Sequence, residues 1–534
     1  MKYLLICVLL HPVFALNYSE DISPIIYNNC TTCHRSGEIA SFLPLTNYGE
    51  VFNNRNWIAY AIVGDESRHG DPIMPPWPPD REYSTFIGER YLTEDEIHII
   101  LDWIEEGASQ GDPELEYPMP DFPEGSAIGE PDLILEMDET FYIEGNNQDN
   151  YRCFIFPLDN EEEASISAIE FRPGNREAVH HAIITYIPAG AADIVDNQDP
   201  SYGYECYGGF GLNTITDLIG GYAPGLSVLE YPEGIGRTIP ANSDIIVQVH
   251  YAPLIDDAED LSSINIFYKD EAIEREINQE IFDYWGFYLL PDQETTITRT
   301  LYIDETVSMV NILPHCHLLG KSWEIYATTP SSEIIPIIRI NQWDFDWQSF
   351  YYPEYLLKIP AGSTITATCI YDNTSNNPDN PNDPPALVIP GQGTTDEMFF
   401  IPIEFIPYQE GDENIYLGNE DMLLGDVNGD GTLNVLDVVQ LVNMILSGGD
   451  ISPASDVNGD GALNVLDIVS IKKELSVTPS DVCKIPRMIK TIKAIEILGT
   501  VVYVRYLICL KRSTLVTAAA RFVVSLSGDN LSPK

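Results

Sequence analysis

The sequence predicts a multidomain, mainly β chain: a small α-helical unit, two tandem antiparallel β-sandwiches, and a small α-helical module built on a duplicated loop. Three observations predict it. From about 130 to 412, short alternating segments such as "SISAIEFRP", "HHAIITYIP", "SDIIVQVHYAP" and "STITATCIYDN" are separated by Gly, Pro, Asn and Asp, and long helical stripes are missing. That is the strand-and-turn pattern of sandwiches, and the stretch is long enough for two. Ahead of it stands a well-marked helix, "TEDEIHIILDWIEEGA". Behind it, "GDVNGDGTLNVLDVVQLV" and "SDVNGDGALNVLDIVSIK" repeat one loop-helix pattern.

Taken in order, residues 1–15 read as an export signal: Lys2, the apolar run "YLLICVLL", and the small residue Ala15. They are excluded from the fold. Residues 17–110 form the helical unit. Its last helix opens on a capping box, with Thr93 as N-cap and Glu96 three residues on. Ile97, Ile100, Leu101 and Ile104 give it an apolar stripe, and Gly107 stops it. A Pro-rich linker covers 111–129. The two sandwiches are placed at 130–290 and 291–412, and the repeat pair at 422–476. After 482 the composition inverts: residues 483–534 hold nine Lys and Arg against two acids, Glu496 and Asp529. The apolar run there is short for a membrane span and carries Arg505. A membrane anchor, a disordered extension and the product of a shifted reading frame are the three readings of this tail.

A net charge of −56 argues against nucleic acid and anionic lipid as partners, since both would repel it. It suits solubility in a salty exterior, where screening acts over about 10 Å or less. The expected location is exported: periplasmic, cell-surface or secreted. Histidine is used sparingly, nine in the chain, yet five of the nine fall in three tight contexts: His180 with His181, His250, and His315 with His317. In extended chain, His315 and His317 project to one face and Cys316 to the other. The adjacent His180 and His181 cannot share a face in a regular strand, so their joint use as ligands requires a bulge or different ring nitrogens. Satisfied core packing or cross-strand stacking accounts for any one of these histidines alone, but poorly for the set.

"CTTCH" at 30–34 is the attachment signal for c-type haem. Cys30 and Cys33 would form the thioethers and His34 would be the proximal iron ligand. Met74 in "IMPPWPPD" is the expected sixth ligand, which raises the potential and closes the iron to small ligands. His69 is the rival, and a disulfide beside an incidental histidine is the alternative to haem altogether. Over its length the unit resembles class I-like cytochrome c domains.

The histidine motifs of 130–412, with Met398 in "GTTDEMFF", resemble those of the copper type II, ascorbate-dependent monooxygenases. That resemblance implies jelly-roll-like sandwiches and two coppers. His180, His181 and His250 would form an electron-storing site in the first sandwich. His315, His317 and Met398 would form the catalytic, oxygen-binding site in the second. Imidazole suits copper in both oxidation states, and a soft thioether favours Cu(I), the form that meets O₂. Zinc gains nothing from a thioether. Peptide-amidating relatives carry Arg two residues before the first histidine of the second site, and Asn and Tyr two and four residues after the methionine. Here those positions are Leu313, Phe400 and Pro402. The set that binds a peptide carboxylate is missing, so an apolar or neutral small molecule is the expected substrate.

The two loops follow D-x-N-x-D-G. Asp426, Asn428, Asp430, Asp437 and the Thr432 carbonyl would hold one Ca²⁺. Asp456, Asn458, Asp460, Asp467 and the Ala462 carbonyl would hold a second. The pair resembles dockerin modules, which implies a cohesin-like partner. Export permits a Cys153–Cys206 disulfide. Cys316 and Cys369 are either a second bridge or buried free thiols.

The reading that results is an exported copper monooxygenase. It hydroxylates a C–H bond with O₂ and two electrons, drawn from an external donor through the fused haem. Two other classes compete: a non-catalytic electron-transfer or copper-binding surface protein, and a scaffold component recruited through the dockerin-like part.

Overall fold

A computed structural model describes residues 16–63, 73–120, 122, 125–206, 209–212, 217–225 and 228–418, scattered positions between 425 and 464, the helix Val465–Glu474, and three strands between 492 and 523. The expected export signal, with His69, lies outside the described residues. The chain folds as two compact units. One comprises residues 25–104 with 119–419; the other comprises the described parts of 1–24, 105–118 and 420–534.

The helical region is built as its sequence dictates. Helices run over Ser23–Asn29, Tyr48–Val63 and Glu94–Glu105. Thr93 N–H and Oγ–H both donate to the Glu96 carboxylate at 2.8 Å, and Glu96 N–H donates back to Thr93 Oγ at 3.2 Å, so the capping box is formed. Of the expected stripe only Ile100 is fully buried, together with Trp103. Gly107, at φ +104°, supplies the left-handed stop.

The first sandwich pairs two five-stranded sheets. One sheet runs Leu133–Glu136, Ser263–Tyr268, Ala164–Arg172, Ile235–Ile239, Arg275–Glu276 in spatial order. The other runs Tyr204–Glu205, Asn150–Pro157, Ser243–Tyr251, Val179–Pro188, Leu218–Tyr222. Phe154, Ile166, Phe171, Ile184, Val247 and Ile264 fill the space between them. The second sandwich pairs two four-stranded sheets: Asn278–Asp283, Phe400–Pro407, Val307–Ile312, Leu357–Ile359 against Gln293–Tyr302, Thr364–Asn373, Gly320–Thr328, Ile334–Ile340. Thr364–Asn373 alternates half-buried and buried residues along its whole length, the period-2 signature of a sandwich strand.

Two boundaries differ from those expected. Asn278–Asp283 hydrogen-bonds to Phe400–Pro407 over six residue pairs, so the second sandwich begins near 278 rather than 291. Residues 77–90 are not confined to the helical unit either. Phe86 lies in the core of the second sandwich, and Pro79 and Phe86 bridge to Ile340 and Pro353. An apolar residue in a Pro-rich stretch carries no period to announce such docking.

The two sandwiches are joined by a buried ion pair. Arg237 on one donates to Glu404 on the other at 2.5 Å, and both side chains are 3% exposed. Asn311 Nδ2 also donates to Glu404, and Asp217 accepts from Arg237 at 3.1 Å. Gln279 and the backbone of Leu218 exchange two hydrogen bonds of 3.0 Å across the same seam.

In the second unit, Tyr18 and Ser19 N–H donate to the carbonyls of Ser109 and Gln110. Val438, Leu441, Ile468 and Ile471 form a small apolar cluster of the repeat pair. Of the ten expected calcium ligands, Asp437 and Asp467 are described, both fully buried; the other eight lie outside the described residues. Within the tail, strands Ile492–Leu498, Val501–Cys509 and Leu515–Val523 pair as an antiparallel meander, where the sequence predicted no element. Among the described residues no helix is long and apolar enough to cross a membrane.

Candidate metal centres

The strand Val179–Pro188 runs antiparallel to Ser243–Tyr251, with Val179 opposite Tyr251 and His181 opposite His250. His180 is the extra residue between them: a bulge. This bulge lets two adjacent histidines face one point. His180 Nδ1 lies 3.2 Å from His181 Nδ1, which lies 3.3 Å from His250 Nδ1. One ligand atom from each of the three lies within 4.8 Å of the others. The outward nitrogens are spoken for. His250 Nε2–H donates to Asp149 at 2.6 Å, and His180 Nε2 faces Asp346 at 3.9 Å. That fixes His250 as the tautomer whose Nδ1 lone pair points inward. Tyr151 stacks on the His250 ring at 4.3 Å.

Burial lowers the proton affinity of His180 and His181. His180 is pushed down to about 4, chiefly by burial and then by the charge of His250. His181 is held well below its ordinary value for the same reasons. Three converging imidazoles, two of them held neutral by burial, suit a copper ion, so the residues fit it.

His315 and His317 lie in an irregular extended stretch, with ring centroids 5.1 Å apart. His315 exchanges backbone hydrogen bonds with Phe400, bringing the chain beside Met398. Their Nδ1–H groups are both used: His315 donates to Gln348 Oε1, and His317 donates to the Asp396 carbonyl at 3.1 Å. Both Nε2 atoms are left for a metal. Burial pushes His315 down to about 3 and lowers His317 as well. His315, His317 and Met398 line one cavity of about 830 Å³, whose wall His181 also reaches. The departures noted in the sequence lie on this wall: Leu313 and Phe400 line it, beside Ile281, Phe345 and Phe210. The donor set, two imidazoles and a thioether opening on a cavity, fits copper that must meet a small ligand.

Cys316 turns away from the site, as alternation requires, and is fully buried. It is not bonded to Cys369; both are buried free thiols, and Trp323 Nε1–H donates to Cys316 Sγ at 3.2 Å. The second bridge left open by the sequence is therefore absent. Gly320 is needed here, because a Cβ would meet Cys316 Sγ at 2.2 Å and Trp343 Cδ1 at 2.6 Å. The bridge Cys153–Cys206 is formed.

At the haem motif, Cys30 N–H donates to Ile26 O, and His34 N–H to Cys30 O at 2.9 Å, so the attachment residues continue the first helix. His34 Nδ1–H donates to Leu43 O at 2.9 Å, leaving Nε2 for iron. Trp77 Nε1 and Arg90 Nε are buried without a hydrogen-bond partner among the described residues. The Arg90 charge is felt at Cys33. An orphaned Arg90 donor whose charge reaches a free cysteine fits an anionic macrocycle such as haem. Met74 is anchored by its N–H to Ala61 O at 3.0 Å.

Sequence reasoning missed Asp149, Gln348 and the Asp396 carbonyl, which set the imidazole tautomers, and Asp346, which faces His180. Only proximity in the fold reveals them.

Comparison with known proteins bears on part of this. Residues 293–411 match the model of the copper type II ascorbate-dependent monooxygenase C-terminal domain, and residues 424–476 match the dockerin type I domain. No curated protein matches the chain. Among solved structures, PBSX exported protein XepA is 8% identical, covering 45% of this chain and 86% of that one, at a TM-score of 0.13. The VP2 subviral particle of infectious bursal disease virus is 10% identical, covering 61% and 90%, at a TM-score of 0.14. Likenesses this weak carry no argument. The chain thus carries, at residues 293–411, a segment that matches the C-terminal domain of the copper type II ascorbate-dependent monooxygenases and, at residues 424–476, one that matches the type I dockerin domain.

Proposed function

We propose that this chain is an exported copper-dependent monooxygenase that hydroxylates a C–H bond of an apolar or neutral small molecule: R–H + O₂ + 2 e⁻ + 2 H⁺ → R–OH + H₂O. The observation that carries the reading is the cavity of about 830 Å³ reached by both histidine sets, with Met398 on its wall. Copper would be held by His180, His181 and His250, and by His315, His317 and Met398. It would supply the one-electron chemistry and the activation of O₂. The protein's own part is positional. Asp149 and Gln348 hold the His250 and His315 rings in one tautomer. Leu313, Phe400 and Phe345 shed water and admit apolar surface. Among the described residues no Lys or Arg lines the cavity, which disfavours a glycine-extended peptide.

The test is isotopic. With a reductant and a screen of apolar substrates under ¹⁸O₂, one ¹⁸O atom should enter the product for each O₂ consumed. O₂ consumption that yields only peroxide or water, with no labelled product, would reject monooxygenation in favour of a copper-binding or electron-carrying protein.

A c-type haem on Cys30, Cys33 and His34, with Met74 as sixth ligand, is the proposed route of electrons from an external donor. Its support is docking. Glu38, four residues after His34, pairs with Arg176, four residues before His180, at 2.5 Å. Arg90 lies 5.8 Å and 5.7 Å from the rings of Trp77 and Trp347, and Gln348, next to Trp347, holds His315. Expected outcome: the purified protein stays red through acid–acetone extraction, because thioethers do not release the macrocycle. Colour that leaves with the solvent refutes covalent attachment. The dockerin domain would bind Ca²⁺ through the two acidic loops and dock on a cohesin-like partner outside the cell.

A further inference from the structure

We infer that Glu397 is a positioning residue that sets His317 and Met398 in fixed relation at the second site. The inference rests on the copper reading of that site. Glu397 is fully buried, and no cation pairs with it among the described residues. Its partners are three backbone amides. His317 N–H and Met398 N–H donate to Oε2 at 2.9 and 3.1 Å, and Leu319 N–H donates to Oε1 at 2.7 Å. The preceding residue completes the clamp, since the Asp396 carbonyl accepts from His317 Nδ1–H at 3.1 Å. From the other side, Tyr371 O–H donates to the Met398 carbonyl at 2.6 Å.

The need for such a clamp follows from the backbone. Between the strands Val307–Ile312 and Gly320–Thr328 the chain leaves the sheet, so residues 317 and 319 lose their ladder partners. A buried amide without an acceptor is costly. One carboxyl group answers three of them, taking two amides on Oε2 and one on Oε1. Because the same oxygen takes the amides of His317 and Met398, an imidazole ligand and the thioether ligand are tied through a single atom. A thioether binds copper weakly and does not hold its own position, so its placement falls to the backbone.

Glu397→Gln keeps the volume but leaves one acceptor oxygen, and its amide N–H₂ then faces a backbone N–H. The variant should still bind two Cu(II) per chain, because imidazoles dominate that state. Its Cu(I) affinity at the second site should fall about 10–100-fold, the usual cost of losing an outer partner. Sulfur scattering in the copper X-ray absorption of the reduced protein should fall with it. The site of His180, His181 and His250 serves as internal control and should not change. A residue that only stabilised the fold would lower the melting temperature and leave the sulfur signal alone.

Wild-type Cu(I) affinity and sulfur signal in the variant would overturn the inference. Failure of the wild type itself to bind a second copper would instead overturn the copper reading. Amide exchange in the metal-free wild type tests the clamp in either case. The N–H groups of His317, Leu319 and Met398 should be protected like those of the flanking strands, and fast exchange would contradict the clamp.

Discussion

His317→Ala is expected to lower turnover by well over about 100-fold while leaving the sandwich folded. Removing a mere outer partner of a metal ligand costs about 10–100-fold, so loss of a ligand itself must exceed that. The fold should survive because, although the ring's bond to the Asp396 carbonyl is lost, the backbone of residue 317 keeps its own hydrogen bonds. The amide of residue 317 is held by Glu397 and its carbonyl accepts from Trp343 Nε1–H at 3.2 Å. Truncation leaves a space that opens on the cavity rather than a sealed void. Turnover, read beside near-ultraviolet circular dichroism, checks both halves.

Arg237→Ala carries the largest expected effect on stability, about 3–5 kcal/mol, because it leaves Glu404 buried and uncompensated. Glu404 is 2% exposed, and burial already pushes its carboxyl up, with Arg237 opposing. The pair joins the two sandwiches, so the loss is felt at the seam that sets their relation. Replacing both members with apolar residues, Arg237→Met with Glu404→Leu, should cost much less, since no charge is then stranded. Denaturant unfolding of the single and double variants measures the difference. Equal losses in both would show that the packing, not the charge, matters.

How much was legible in the sequence follows from which interactions are local. Alternation gave the sandwich strands because a residue's face depends only on its neighbours. The Thr93–Glu96 box was legible for the same reason. The His180 bulge was legible as a requirement: two adjacent ligands in a strand need one. What escaped was set by contacts far along the chain. Asp149 meets His250 at a separation of 101 residues, and Arg237 meets Glu404 at 167. Neither carries a periodic or spacing signal. Phe86 entered the second sandwich from a Pro-rich stretch that read as part of the helical unit. Glu397 escaped as well, since its three amides appear only once the 313–319 turn is folded against it. The free Cys316 and Cys369 show the limit of counting cysteines: export permits a bridge, and the Trp323 hydrogen bond at Cys316 meets one thiol another way.

The central claim is that the ligands divide into two independent sets. Copper counting on two variants, His250→Ala and His317→Ala, each against wild type, tests it most directly. The account predicts two coppers in wild type and one in each variant, with sulfur scattering kept in the reduced His250→Ala protein, where Met398 and its site remain. Two coppers in both variants, or none in either, would contradict it.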